Sequence, residues 1–411
     1  MVNRSSHSDM PFDVDIVHHG RFNYSEINDA GAGKKIKQPG VADQKWTMAS
    51  IALVFALIAI VAQTETAVYI QGPLGYSKPY FMLYLTHSSA MLLAPLQFFA
   101  IKLTRRQLTF KAYLRSHIQN ILSTARIITA SATKRNQSDL QVVQHMIWVV
   151  ALCTCCLTLA ACTWYIAVSM TTASDVTAIY NSSTFSAYAF SVLLLNERVR
   201  RDKIFAVVMS IIGVLIISYG GPKAPNDEGD SHRQLVGNFI IAGGSIVYGL
   251  YEVLYKKLAC PNDVSPRRSC LFANVFTSGI GVFTIFFLWI PLPVLHVLGW
   301  EKFERPPREA VVWLLLTMLS NLIFSGSFLA MISLTSPVFS SVASMLSIFL
   351  VAITDMILTG KPLTGTTLFG SSFILAAFGV LGWATWKEME EETLSEQSLS
   401  DLDEDEINSL T

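Results

Sequence analysis

The sequence predicts an all-α integral membrane fold: ten transmembrane helices arranged as a 5+5 inverted repeat. Three observations predict it. Charge is scarce and clustered, apolar stretches recur at membrane-spanning length, and the spans of the two halves match in order.

The chain has 411 residues, of which 52% are hydrophobic and 15% charged. Soluble domains carry about 25% charged residues. Here the charges fall between long apolar stretches, which is the membrane pattern. The net charge is zero, so no general attraction to nucleic acid follows. A span needs about 20 apolar residues. The stretches that qualify are 46–68, 79–101, 146–169, 174–195, 204–219, 236–255, 271–292, 310–334, 337–358 and 363–384. The fourth is polar for a span and the fifth is short. The turn between the third and fourth is tight enough that merging them would give nine spans.

Basic residues favour the cytosolic side. With the N-terminus inside, 23 of the 30 Lys and Arg fall on cytosolic segments, so both termini are expected in the cytosol. Asn3, Asn23 and Asn136 begin N-x-S motifs on cytosolic segments and Asn181 begins one within a span, so none is expected to carry a glycan. The first 45 residues are polar, and the first apolar stretch reads as an uncleaved insertion signal. Cys153, Cys155, Cys156 and Cys162 sit in one apolar stretch, and Cys260 and Cys270 in a short loop. Neither group has the ligand set of a metal site, and no cofactor is expected.

The domain reading follows. Residues 1–45 form a disordered cytosolic tail, 46–220 the first five-helix repeat and 236–386 the second. Residues 387–411 form an acidic, serine-rich tail, also disordered. Within the first repeat, the cytosolic loop 102–145 carries Leu114, Ile118, Ile121, Leu122, Ala125 and Ile128 at helical spacing, with Lys111, Arg115 and Arg126 beside them. This predicts an amphipathic helix on the cytosolic leaflet.

The repeat rests on short matches. Ser174-Asp175-Val176 corresponds to Ser336-Pro337-Val338, Ser182 to Ser344, and Gly213-Val214-Leu215 to Gly379-Val380-Leu381. Five spans per half start the second half on the opposite face. That is the inverted repeat from which many secondary transporters build alternating access.

Several segments resemble the drug/metabolite transporter superfamily, and more narrowly solute carrier family 35 subfamily F and its fungal vacuolar-membrane relatives. They are Lys78-Pro79-Tyr80-Phe81, Gly237-Asn238-Phe239 through Tyr248-Gly249-Leu250-Tyr251 to Lys256-Lys257, and Phe287-Leu288-Trp289. Gly299-Trp300-Glu301-Lys302-Phe303 and Leu334-Thr335-Ser336-Pro337 complete the set. Leu195-Asn196-Glu197-Arg198 resembles the superfamily's acidic residue after span four. The second half has Leu358-Thr359-Gly360-Lys361 there instead. The resemblance covers roughly residues 46–386 and implies a ten-helix carrier in a vacuolar or Golgi membrane. The subfamily includes proteins proposed to move thiamine and others with no assigned cargo.

Polar residues inside a membrane are costly and usually face a cavity or a partner. Ser245, Tyr248, Glu252 and Tyr255 fall on one face of span six. They offer a carboxylate with aromatic walls, suited to a cation or an exchanged proton. A local alternative is a pair between Glu252 and Lys256, one turn on. Glu65 takes the matching place in span one. Span four offers Tyr180 beside a stripe of Thr177, Asn181, Thr184 and Tyr188, and span nine a stripe of Ser336, Ser340, Ser344 and Ser347. The serines suit close packing, whereas Asn181 is costly to leave unpaired in lipid. The substrate-binding candidates are therefore Glu65, Tyr180, Asn181, Tyr248, Glu252, Asn274 and Asn321. His87 reads as a satisfied buried histidine.

None of the ten spans contains Lys or Arg, although phosphates and nucleotide-sugars call for fixed positive charge. This favours a cationic or neutral substrate over the alternative of a nucleotide-sugar or other anionic-metabolite antiporter. A non-transporting scaffold or receptor is the other alternative. An enzyme is not expected, because no HExxH, GxSxG or Walker motif is present. The partners expected are a small-molecule substrate and membrane lipid, with no nucleic acid. A homodimer is left open.

Overall fold

The computed structural model describes residues 41–104, 109–133, 138–168, 170–171, 173–219, 231–261, 264–359, 363 and 365–409. All regular structure among them is helical. Seven helices are long and apolar enough to cross a membrane: Ala42–Gln71, Asp139–Trp164, His232–Ala259, Pro266–Phe287, Arg308–Leu334, Pro337–Leu358 and Gly365–Glu391.

The elements in chain order are α1 (Val41–Gln71), α2 (Pro79–Ser89), α3 (Leu93–Thr104), α4 (Phe110–Thr133), α5 (Asp139–Val168), α6 (Ala173–Asn181) and α7 (Ser183–Leu194). They continue with α8 (Arg201–Tyr219), α9 (Ser231–Ala259), α10 (Pro266–Phe287), α11 (Pro291–Val297), α12 (Arg308–Leu334), α13 (Pro337–Thr359) and α14 (Gly365–Ser409). Proline opens α2, α10, α11 and α13, where its missing N–H costs nothing. The second expected span is split by a 3-10 turn at Ala90–Leu92 and the fourth is broken at Ser182. The fifth is the 19-residue α8. Spans three and four are separate helices, joined by the tight turn where Met170 and Thr171 donate to the Ala167 carbonyl.

At the ends of the chain, residues 1–40 of the expected N-terminal tail lie outside the described residues, and α1 begins at Val41. The acidic tail expected to be disordered is helical through Ser409 as the continuation of α14. Its Glu and Leu content has good intrinsic helix propensity, and Lys387 pairs with Glu391 one turn on.

The helices pair in a pattern. α1 lies along α12, α5 along α9, and α8 along α14. α6 and α7 pack on α9 and α8, while α13 packs on α1, α7 and α14. α10 contacts α12, α5, α2 and α3, and α2 contacts α5 and α12. Exchanging α1 with α9, α2–α3 with α10, α5 with α12, α6–α7 with α13 and α8 with α14 maps each of these pairings onto another or onto itself.

The α8–α14 crossing has the same property at atomic scale. A Cβ on Gly213 would lie 2.7 Å from the Gly370 carbonyl oxygen, and one on Gly370 would lie 2.6 Å from the Gly213 carbonyl oxygen. Reciprocal contact of this kind marks a two-fold axis. It pairs Gly213 with Gly370 rather than with Gly379, the partner suggested by sequence. A Cβ at Gly379 would meet nothing within 4 Å.

Two segments far apart in sequence form a clasp. α11 ends where Gly299 adopts φ +73°, a left-handed value that glycine takes without strain. The chain then turns so that Glu301 reaches the start of α2. Its carboxylate accepts from the backbone N–H of Tyr80 at 2.8 Å and of Phe81 at 2.9 Å, satisfying two of the donors a helix start leaves open. Phe81 packs edge-on against Phe303, Lys78 pairs with Glu304 at 3.3 Å, and the Tyr80 hydroxyl donates to the Leu288 carbonyl at the end of α10.

Candidate functional site

The largest buried cluster unites α5, α9, α10, α12 and α13 around Tyr251, Tyr255, Phe276, Phe328 and Phe339. Glu252 lies within this region. It is 0% exposed, its Oε2 accepts from the Ser341 hydroxyl of α13, and its Oε1 has no partner. A buried charge needs pairing, and among the described residues Glu252 enters no ion pair. The alternative, a pair with Lys256, is not formed. Instead, the Lys256 ammonium donates to the Ile332 and Ser333 carbonyls at 3.1 and 2.9 Å. The last carbonyls of α12 lack helical donors and attract a cation, so they outcompete a carboxylate on Lys256's own helix.

Aromatic rings line one side of the carboxylate. The Tyr180 ring of α6 lies 5.4 Å from Tyr248, which lies 6.0 Å from Tyr251. Tyr251 is buried, whereas Tyr180, Asn181 and Tyr248 are half-buried. Tyr251 and Glu252 are thus the deeper members of the cluster, and Tyr180, Asn181 and Tyr248 the shallower ones. α9 can approach this closely because it carries Gly249. A Cβ there would lie 2.7 Å from the Ala187 nitrogen and 2.8 Å from the Ser183 carbonyl oxygen on α7. The Ser182 and Ser245 hydroxyls meet at 3.3 Å beside it.

The other candidates sit elsewhere. Asn321 donates to the Thr86 carbonyl at 2.7 Å and accepts from Gln63 at 3.4 Å, tying α12 to α2 and α1. Asn274 donates to the Gln97 side chain on α3. Both amides are used in holding helices together. Glu65 is half-buried on α1. His87, expected to be satisfied, has an Nδ1 without a partner, and it lines a small cavity with Tyr80, Tyr84 and Thr158. The serines of span nine bond to carbonyls of their own helix, Ser340 to Ser336, Ser344 to Ser341 and Ser347 to Ser344. This is the local bonding expected of helical serine. Ser341, adjacent to that stripe, is the residue that reaches Glu252. The side chain of Thr177 lies outside the described residues.

Residues 50–219 match the EamA-like transporter family. The similarity is confined to that segment, about two fifths of the chain. Over 241 residues the chain is 24% identical to an uncharacterized vacuolar membrane protein of Saccharomyces cerevisiae, covering 55% of this chain and 59% of that one. The chain thus spans little more than half the length of that relative. It is 26% identical over 320 residues to the thiamine-repressible mitochondrial transport protein THI74 of the same yeast, covering 74% and 83%. It is 27% identical over 166 residues to solute carrier family 35 member F5 of Macaca fascicularis, covering 39% and 29%. A solved crystal structure superimposes with a TM-score of 0.53 at 13% identity, over 84% of this chain and 98% of that one.

Within the matched segment, Leu195-Asn196-Glu197-Arg198 has a physical role. Asn196 takes φ 55°, a left-handed value that ends a helix and that Asn tolerates. The turn aims Glu197 at Lys203 of α8, 3.1 Å away, and Glu388 of α14 reaches the same ammonium at 2.8 Å. Lys203 is 1% exposed. Burial lowers its pKa, but the two carboxylates outweigh that and hold it above the ordinary lysine value.

Proposed function

We propose that this chain is a secondary transporter of a small organic solute, cationic or neutral, working by alternating access in an endomembrane. The carrying observation is Glu252, a buried carboxylate with one oxygen unpartnered, flanked by tyrosines from both halves of the chain. A carboxylate with aromatic walls is the chemistry that receives an organic cation. A compact, thiamine-like cation has that chemistry. The name of the yeast relative speaks of repression by thiamine and leaves its cargo unstated.

The ten-helix, 5+5 reading is supported by the exchange symmetry of the helix pairings and by the reciprocal Gly213–Gly370 contact. The EamA-like match supports it too, since it ends where the first repeat was expected to end. Both termini on the cytosolic side follow from the basic-residue asymmetry. An endomembrane, vacuolar or Golgi, is supported by the vacuolar relative. Transport rather than enzymatic chemistry agrees with the relatives named for transport. An anionic substrate fits less well. Lys78, Lys203 and Lys256 are each engaged by a carboxylate or by backbone carbonyls, and Lys361 lies outside the described residues.

The substrate site we propose comprises Tyr180, Asn181, Tyr248 and Glu252, with Glu65 as a second acid on the opposite side. The test is uptake by reconstituted protein of organic cations, vitamins and nucleotide-sugars, with and without a pH gradient. Cation uptake should fall at least roughly ten-fold in Glu252→Gln, the scale of losing one charge-assisted contact. Nucleotide-sugar exchange without cation uptake would overturn the substrate class. Proton-dependent transport persisting after Glu65→Gln and Glu252→Gln together would remove these acids from coupling.

A further inference from the structure

The amphipathic helix expected in the cytosolic loop is α4, and its apolar residues divide between two faces. Ala125 and Ile128 pack against Val142 of α5 and Phe272 of α10. Arg268 of α10 donates to the Ser123 and Thr124 hydroxyls, and Arg126 bonds Asp139 at the start of α5. That face is closed by protein. The other carries Phe110, Leu114 and Ile118 at four-residue spacing, exposed by 53%, 38% and 52%. Lys111 and Arg115, each one residue on from the stripe, are exposed beside it.

The position of this face decides what covers it. Phe98 of α3 packs against Phe110 at 5.8 Å, Tyr113 at 4.9 Å and His117 at 5.2 Å. Phe98 is one turn inside Lys102, the first basic residue after the second span. The start of α4 is therefore held at the depth where that span leaves the hydrocarbon. The exposed Leu96, Phe99 and Leu103 of α3 continue the apolar surface next to it. An apolar stripe continuous with a lipid-facing helix, edged by cations, matches the boundary between acyl chains and anionic headgroups.

We infer that α4 is an in-plane helix that binds anionic phospholipid of the cytosolic leaflet. Phe110, Leu114 and Ile118 enter the acyl boundary, and Lys111 and Arg115 hold headgroup phosphates. The inference is independent of the substrate reading, since α4 contributes no residue to the Glu252 cluster.

The test uses full-length protein in nanodiscs of phosphatidylcholine alone or of equimolar phosphatidylcholine and phosphatidylserine. Ile118→Cys and Asn120→Cys are labelled with a membrane-impermeant maleimide, and the wild-type protein supplies the background from its own cysteines. In the anionic discs Asn120→Cys should react at least roughly ten-fold faster than Ile118→Cys. Adding Lys111→Gln and Arg115→Gln should raise the Ile118→Cys rate by a similar factor, as the loss of two headgroup contacts predicts. Thermal unfolding like the wild type's in all three variants excludes misfolding as the cause; a variant that has lost it is replaced by native mass spectrometry of phosphatidylserine retention on the Lys111→Gln, Arg115→Gln protein. Equal rates at the two positions would place the stripe in water and overturn the inference. So would Ile118→Cys protection indifferent to both lipid charge and the two basic residues. Protection found in cell membranes but lost in both nanodiscs would assign the face to a protein partner instead.

Discussion

At the scale of single residues, Glu252 was legible because its neighbours on one helical face are all polar or aromatic, and lipid would not tolerate that face. Its partner was not. The serine stripe read on span nine, Ser336, Ser340, Ser344 and Ser347, leaves Ser341 out, and only the cross-helix geometry brings Ser341 to the carboxylate. The alternative pair with Lys256 is a related case, since a four-residue spacing permits it and the open carbonyls of α12 compete for the same ammonium. Ser341→Ala would leave both Glu252 oxygens without a protein donor, which costs about 1–3 kcal/mol for an unsatisfied buried group. We expect a lower melting temperature in detergent for Ser341→Ala, and a smaller effect of the same change in a Glu252→Leu background. Equal losses in the two backgrounds would mean that Ser341 acts through packing and does not support the carboxylate.

At the scale of elements, the periodicity of apolar residues placed the spans, and the helices that deviate do so at identifiable points. The second expected span breaks at a 3-10 turn and the fourth at Ser182, neither of which disturbs apolar periodicity enough to be read from it. The acidic tail reads as disordered by composition, yet the helix of the last span simply continues into it. The motifs Lys78-Pro79-Tyr80-Phe81 and Gly299-Trp300-Glu301-Lys302-Phe303 carried the family resemblance without a reason attached. Their reason is the clasp, in which Glu301 supplies the acceptor that the start of α2 lacks. Because a carboxylate at a helix start also meets the favourable end of the dipole, Glu301→Ala should cost about 1–2 kcal/mol. Glu301→Gln, which keeps one acceptor oxygen, should cost less. Thermal melts of the two variants would show this order. If both melt like the wild type, water replaces the cap and the clasp is incidental.

At the scale of the whole molecule, the order of spans suggests the inverted arrangement proposed above, and the helix pairings support it, but the position of its axis was not legible. Three-residue matches aligned Gly213 with Gly379, but the reciprocal contact lies at Gly370, because close approach of two backbones selects glycine wherever the helices cross. The same scale shows which end of the second half is shut. Lys256 holds the last carbonyls of α12, the Tyr255 hydroxyl donates to the Leu329 carbonyl, and Ser341 holds Glu252. Together they seal the end of α9 that the orientation proposed above turns toward the cytosol. Alternating access, as proposed above, requires this seal to open. Cys260 reports on it, since it is 6% exposed and directly follows the end of α9. Lys256→Gln replaces a charged donor to two carbonyls by a neutral, shorter one, and charge-assisted bonds contribute about 1.5–3 kcal/mol. The open population should therefore rise by roughly ten-fold or more. Peptide mapping after maleimide treatment from the cytosolic side should show Cys260 modified that much faster in Lys256→Gln than in the wild type. A rate unchanged by the substitution, in protein that retains its melting temperature, would mean that Lys256 ties α9 to α12 without gating this end.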